Sequence, residues 1–330
     1  MKNMKLMKSG MEFSVLSLGT WGMGGGTAWH GSNDDESIRI IHKAGELGIN
    51  FIDTAPVYGT GHSEELLGRA LKGRRSNYVL SSKCTMQWRS NQGVKQYDRD
   101  GKTVYRSFEP ESIKADLEDS LKRLGTDYID IYFTHRQPDD LSSIAGIYSI
   151  LDEFKHQGKI RAIGISNANP AILKEYLKCG HVDIVQEKFS LLESSGKMEY
   201  LHLCEGKNII FQGFSVLERG LLTGKVGRDY EVQKGEARGS IPWIAGEKRT
   251  HILHMLEKWK DLCTAYNCSI TNLVIAYTMK HSSILNILFG ASRLSSLEDT
   301  VRSLNITLRQ DDIEKMKADI AIALQACDRI

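Results

Sequence analysis

Eight short apolar or β-branched runs recur along this chain, and nearly every one is followed by a longer segment with helical period. They are "VLSLGT" (15–20), "NFIDT" (50–54), "YVLSSK" (78–83), "YIDIYFTH" (128–135), "IRAIGIS" (160–166), "VDIVQ" (182–186), "IIFQGFS" (209–215) and "LNILFG" (285–290). Strand followed by helix, repeated eight times, predicts a (β/α)8 TIM barrel of the α/β class. A doubly wound sheet is the alternative, but it wants a glycine fingerprint after its first strand. "GTWGMGGGT" has the glycines without the Gly-x-Gly-x-x-Gly register, because Thr27 stands at the last position.

The helical segments carry their own punctuation. Ile113, Leu117, Leu121 and Leu124 make one face of a helix over Glu111–Leu124, with Pro110 in its first turn and Gly125 ending it. Ile38, Ile41, Ala44 and Leu47 make another, capped by Asn33 or Asp34 and ended by Gly48. Ile144, Ile147, Leu151 and Phe154 repeat the pattern before Gly158. "MKLMKSGMEFS" predicts an added N-terminal β-hairpin turning at Ser9-Gly10, and the tail from Asp311 predicts an extra C-terminal helix. No linker divides the chain, so residues 1–330 read as one domain. Two connections, Ser90–Glu109 and Thr223–Gly246, are too long for plain loops and fall at the C-terminal mouth of the barrel, where such segments shape binding sites.

Composition excludes several classes of function. The 43 basic and 41 acidic residues leave a net charge of +2 with no basic cluster, so no nucleic-acid partner is expected. No apolar run reaches about 18 residues, so no membrane span is expected. The N-terminus lacks the apolar centre of a secretory signal. Six scattered cysteines without a CxxC pair fit the reducing cytoplasm rather than a disulfide framework or zinc site. "HILH" places His251 and His254 on one helical face without a third ligand, so no metal is expected.

Barrel enzymes hold their chemistry at the C-terminal ends of the strands. Those ends carry Asp53, Lys83, His135, Ser166 with Asn167, Gln186 and Ser215, and Tyr58 lies in the loop after Asp53. Singly, each has a plain structural explanation: Asp53 as a cap, Tyr58 as packing, His135 as a satisfied polar group. Lys83 is harder to dismiss, since a lysine ending an apolar strand needs a partner or water. Together, Asp53, Tyr58, Lys83 and His135 form a set that protonates a carbonyl oxygen as it gains charge. None of them is a hydride source, so a nicotinamide cofactor is required.

These segments resemble the aldo-keto reductase family. "DTAPVYGTGHSEELLG" is similar to its Asp-Thr-Ala-x-x-Tyr-Gly signature. "RLGTDYIDIYFTH", "GKIRAIGISNANP", "LERGLLTGK" and "LFGASRLSSLED" resemble later family segments in family order. The resemblance implies NAD(P)H-dependent reduction of an aldehyde or ketone without metal. It implies Tyr58 as general acid, with Lys83 and Asp53 lowering its pKa, and His135 orienting the small-molecule carbonyl substrate. Ser166, Asn167 and Gln186 are implied to bind the nicotinamide carboxamide, with Phe214 stacked on its ring. Ser215, Leu217, Arg219, Gly220 and Lys225 are implied to contact the pyrophosphate, and Gly290, Ser292, Arg293 and Asp299 the adenosine. Thr20 and Trp21 complete the implied cofactor set.

Arg293 falls where a basic residue meets a 2′-phosphate, which favours NADP(H) and leaves NAD(H) open. Lys188, Val216, Ser296 and Thr300 depart from the family pattern. Trp29 and Trp88 are expected at the substrate, with Trp21 and Trp243 also on mouth loops. The basic residues of the 90–109 segment suit a sugar or polyol-derived carbonyl. The family also resembles potassium-channel β-subunits, which are cofactor-binding regulators that typically carry Asn at the His135 position; the histidine here favours an enzyme. "GISNA" resembles a serine-hydrolase elbow only as a short isolated motif. The near-miss phosphate loop in "GTGHSE" reads instead as a turn, with Gly59 and Gly61 linking Tyr58 to a helix begun at Ser63.

Overall fold

The computed structural model describes all 330 residues. A hairpin of β1 (Asn3–Lys5) and β2 (Glu12–Ser14) turns through Gly10 at φ +69°. Barrel strands β3 (Leu16–Gly19), β4 (Phe51–Asp53) and β5 (Val79–Cys84) follow. A small antiparallel sheet then interrupts the barrel, made of β6 (Met86–Gln87), β7 (Val94–Arg99) and β8 (Lys102–Arg106). The barrel resumes with β9 (Ile129–Thr134), β10 (Ile160–Ser166), β11 (Ile184–Lys188), β12 (Ile210–Phe214) and β13 (Leu285–Phe289). All eight barrel strands pair in parallel in chain order, and β13 closes onto β3. The eight expected strands are therefore the eight observed, shifted by no more than two residues.

Helices α1 (Asp34–Glu46), α2 (His62–Ala70), α3 (Pro110–Leu124), α4 (Ile144–His156), α5 (Pro170–Cys179) and α6 (Met198–Glu205) follow the first six barrel strands. After β12 come α7 (Gly246–Glu257), α8 (Lys260–Ala265) and α9 (Ile270–Thr278); α10 (Leu294–Arg302) follows β13, and α11 (Gln310–Asp328) is the extra C-terminal helix. Asn33 caps α1 by accepting from Glu36 N at 2.9 Å, and Gly125 ends α3 at φ +61°. No helix is long and apolar enough to cross a membrane.

Two cores position the mouth. The larger fills the barrel and the strand–helix interface, and takes in Met4, Leu6 and Phe13 of the hairpin. The second gathers α7, α9 and α11 under the segment after β12, whose Val226, Ile241 and Ile244 are buried in it. That long connection is thus held down by packing rather than left as a loop. The connection after β5 is held by charge: Arg89 reaches Asp116 at 2.7 Å and Asp119 at 3.2 Å on α3, and Arg106 donates to the Gln137 carbonyl at 3.0 Å.

Gly59 and Gly61 are turn residues, at φ +61° and +101°. A Cβ on Gly59 would lie 2.1 Å from the Gly24 carbonyl oxygen, so backbone packing alone demands glycine there. Helix α2 starts at His62, one residue before the expected Ser63.

Candidate active site

The register of β4 and β5 brings Asp53 and Lys83 inward on neighbouring strands. Lys83 Nζ donates to Asp53 Oδ2 at 2.7 Å, to Oδ1 at 2.8 Å and to the Thr54 carbonyl at 2.8 Å. Both side chains are only 1% exposed, and this decides the chemistry, because a buried charge needs a partner of this quality. The Tyr58 hydroxyl lies 3.4 Å from the same Nζ. The His135 ring stands edge-on to Tyr58, with centroids 6.0 Å apart. His135 lines the cleft, and its Nδ1 is buried without a hydrogen-bond partner.

Burial governs the protonation of these groups. It pushes the Tyr58 phenol well above its ordinary value near 10, and the Asp53 carboxylate pushes it further the same way. The expected lowering by Lys83 and Asp53 is therefore not seen in the resting site: burial outweighs the ammonium that stands 3.4 Å from the hydroxyl. Burial also lowers the Lys83 ammonium, against the opposing pull of Asp53. His135 is held well below the usual imidazole range by burial, then by the positive charges of Lys83 and Arg136. The site at neutral pH holds a protonated phenol beside a neutral imidazole.

Behind the ion pair runs a ladder of amides. Gln186, Gln212 and Asn286 are successive register partners on β11, β12 and β13, so all three side chains share the inner face. Gln186 Nε2 donates to Asp53 Oδ1 at 2.9 Å and to Gln212 Oε1 at 2.7 Å; Gln212 Nε2 donates to Asn286 Oδ1 at 2.8 Å. Asn286 Nδ2 ends the chain on the carbonyls of Ser14 and Val15, both at 3.0 Å. Ser166 Oγ donates to Gln186 Oε1 at 3.0 Å, and Asn167 Nδ2 donates to the His135 carbonyl at 2.9 Å.

An open cleft of about 990 Å³ lies over these residues and extends along the C-terminal ends of β11, β12 and β13 to the start of α10. Ser215 and Arg219 line it with left-handed backbone, at φ +56° and +51°. A model of the aldo/keto reductase family matches residues 15–320. The chain belongs to the aldo-keto reductase family. It is 40% identical to an NADH-specific methylglyoxal reductase of Escherichia coli, over 98% of this chain and all of that protein. It is 31% identical to an aldo-keto reductase of Bacillus subtilis, over 94% of this chain and 91% of the relative. Its fold matches the structure of a glycerol dehydrogenase from Gluconobacter oxydans with a TM-score of 0.85 at 30% identity, covering 96% and 94% of the two chains. The protein is thus a carbonyl oxidoreductase that uses a nicotinamide nucleotide.

Every residue of this aldo-keto reductase expected at the cofactor lines the cleft except Thr20. Thr20 is fully buried and donates to the Asp53 carbonyl at 2.9 Å, so it supports the strand end rather than lining the cleft. Trp29 lines the cleft beside Trp21, ring centroids 5.3 Å apart. Trp88 does not. The 86–106 segment folds as a sheet, which turns Trp88 away, between Lys102 and Arg123, each 5.5 Å from its ring. Trp243 is likewise outside the cleft, packed on the second core. Arg219 is already engaged, donating to Ser240 Oγ at 2.5 Å and to the Ala237 carbonyl, and it lies 4.9 Å over Trp21. Lys188, which departs from the family pattern, pairs with Glu193 at 2.6 Å and Glu218 at 3.2 Å.

Sequence reasoning missed Glu36, Tyr97, Arg136 and Arg238 on the cleft wall, whereas Arg99, one of the basic residues of the 90–109 segment, does line it. Arg136 follows His135 directly and was open to the same strand-end reasoning. Gln212 carried a signal too, as a polar residue inside an otherwise apolar strand.

Proposed function

We propose that this aldo-keto reductase reduces a small polar aldehyde or ketone, such as a sugar fragment or polyol-derived carbonyl, to the alcohol. The observation that carries the reading is the Tyr58 hydroxyl within 3.4 Å of the buried Lys83–Asp53 pair, at the inner end of a cleft shaped for an extended ligand. A bound reduced nicotinamide supplies the hydride, which none of these side chains can. Ser166, Asn167 and Gln186 hold its carboxamide; Gln186 retains acceptor capacity on Oε1, because both its N–H bonds are taken. Phe214 lies where it can stack on the ring.

Tyr58 gives its hydroxyl proton to the carbonyl oxygen as negative charge grows there, and His135 Nε2 donates a hydrogen bond to the same oxygen. The phenol's raised pKa keeps it protonated until that moment. Lys83 stabilises the phenolate left behind through its contact with Oη. The two aromatic walls, Trp21 and Trp29, and the cationic Arg99 and Arg136 favour a compact polar substrate over a large apolar one. The three-carbon compounds named in the methylglyoxal reductase and glycerol dehydrogenase relatives support the same size range.

For the cofactor, exposed Arg293 at the start of α10 supports acceptance of NADPH, the nucleotide favoured by the sequence. The 40% identical relative is NADH-specific, and the Glu36 carboxylate beside Arg293 opposes a phosphate. The test is oxidation of NADH and NADPH against a panel of methylglyoxal, glyceraldehyde, aldoses, inososes and steroid ketones. Turnover concentrated in the small polar members is expected. Cofactor binding without turnover of any carbonyl defeats the proposal.

A further inference from the structure

The first turn of α1 carries three acids, Asp34, Asp35 and Glu36. Asp34 is taken up by His62 at 2.8 Å and by Arg69. Glu36 reaches elsewhere. Its Oε1 accepts from Leu294 N at 3.4 Å, across 258 residues of sequence, while Oε2 pairs with Arg39 at 2.7 Å. Leu294 is the first residue of α10, directly after Arg293. The contact exists because β13 closes the barrel onto β3, which sets the first and last strand–helix units side by side. Glu36, Ser292, Arg293 and Ser296 all line this outer end of the cleft.

A helix N-terminus with an arginine is the ordinary receptor for a phosphate monoester. Here that receptor already holds a carboxylate. One of its free N–H groups points at Glu36, and the negative charge sits within hydrogen-bond distance of the backbone a phosphate would use. A 2′-phosphate brings about −1.5 to −2 charges of its own. Of the other charged groups in this region, Arg39 is bound to Glu36, Lys43 is shared between Glu46 and Glu298, and Asp299 is tied to Ser269. Arg293, exposed at the same helix start, offsets part of the repulsion, as Arg39 does through its pair with Glu36. A carboxylate in this place has a natural alternative partner, a neutral ribose hydroxyl, which donates to it.

We propose that Glu36 is a specificity-determining residue that selects NADH over NADPH: its carboxylate at the N-terminus of α10 accepts a hydrogen bond from the adenosine ribose and repels a 2′-phosphate. The inference rests on the nicotinamide-dependent reading above. It is tested by dissociation constants for NADH and NADPH, measured by quenching of protein fluorescence on the intact protein without substrate. Wild type is expected to bind NADH about tenfold or more tightly than NADPH, the scale of one charge-assisted hydrogen bond.

Glu36→Gln keeps the acceptor for Leu294 and the side-chain shape while removing the charge. It is expected to tighten NADPH about tenfold, to weaken NADH only a few-fold, and so to collapse the ratio. Arg293→Ala in the Glu36→Gln background then loses the gained NADPH affinity. A ratio unchanged within about twofold by Glu36→Gln, or wild type preferring NADPH, overturns the proposal. Binding of neither nucleotide overturns it together with the function above. NADH-selective binding that shifts with Glu36→Gln, but with no carbonyl turned over, upholds the assignment of Glu36 and defeats only the reductase reading.

Discussion

At the inner end of the cleft the groups behind Tyr58 are committed to one another: Lys83 donates to Asp53 and Thr54, Gln186 to Asp53 and Gln212, and Ser166 to Gln186. At the outer end Arg293 and Ser292 are exposed, and Glu36 holds α10 by a single long contact of 3.4 Å. The inner residues are interlocked through buried bonds, so altering one leaves a partner desolvated and unpaired. The outer residues meet water when altered. On the functional reading proposed above, the chemistry falls where side chains are interlocked and buried, and the choice of nucleotide where they are solvated.

The largest expected effect is on turnover at the inner end. Tyr58→Phe should cut carbonyl reduction by about 10²–10⁴-fold, the usual worth of a positioned general acid. Cofactor affinity should stay near wild type in the same fluorescence titration. Substantial residual reduction would remove Tyr58 from the role. Next in size is stability: Lys83→Met leaves Asp53 charged and buried, and should cost about 3–5 kcal/mol in urea unfolding. A cost below about 1 kcal/mol, typical of an exposed pair, would erase the contrast between the two ends. At the outer end, Arg293→Ala should weaken NADPH several-fold more than NADH without altering unfolding; equal effects on both nucleotides would mean that Arg293 does not meet the 2′-phosphate.

The smallest effect concerns Asp116, the buried anchor of the mouth sheet. Burial pushes its carboxyl up to about 7, against the pull of Arg89. The folded protein therefore holds a proton that the unfolded chain, with its carboxyl near 3.8, releases. The stability this group contributes is full below the unfolded value and is lost as pH rises through about 7. Asp116→Asn should flatten that decline, shrinking the difference in Tm between about pH 5 and about pH 8. An unchanged difference would mean that Asp116 is ionised throughout.

Much of the inner end was legible in sequence because strand ends in a barrel converge by topology. Once eight strands were recognised, Asp53, Lys83 and His135 had to share one mouth. The amide ladder was not legible, since Gln212 and Asn286 meet only when the register of three strands is known. Trp88 lies outside the cleft because the chain after β5 folds back as a sheet, with β6 and β7 both pairing with β8, an arrangement that spacing alone does not show and that sets Trp88 between Lys102 and Arg123. The direction of the Tyr58 shift was missed because a list of neighbours says nothing about burial, the larger cause.

By itself the sequence determined the element order, the barrel and the strand-end residues, because hydrophobic period and glycine and proline punctuation are local properties of the chain. Tertiary structure alone decided which of those residues touch, which side chains face the cleft, and that Glu36 of the first helix meets Leu294 of the tenth. Those outcomes depend on barrel closure and desolvation, and both arise only when segments hundreds of residues apart pack against one another.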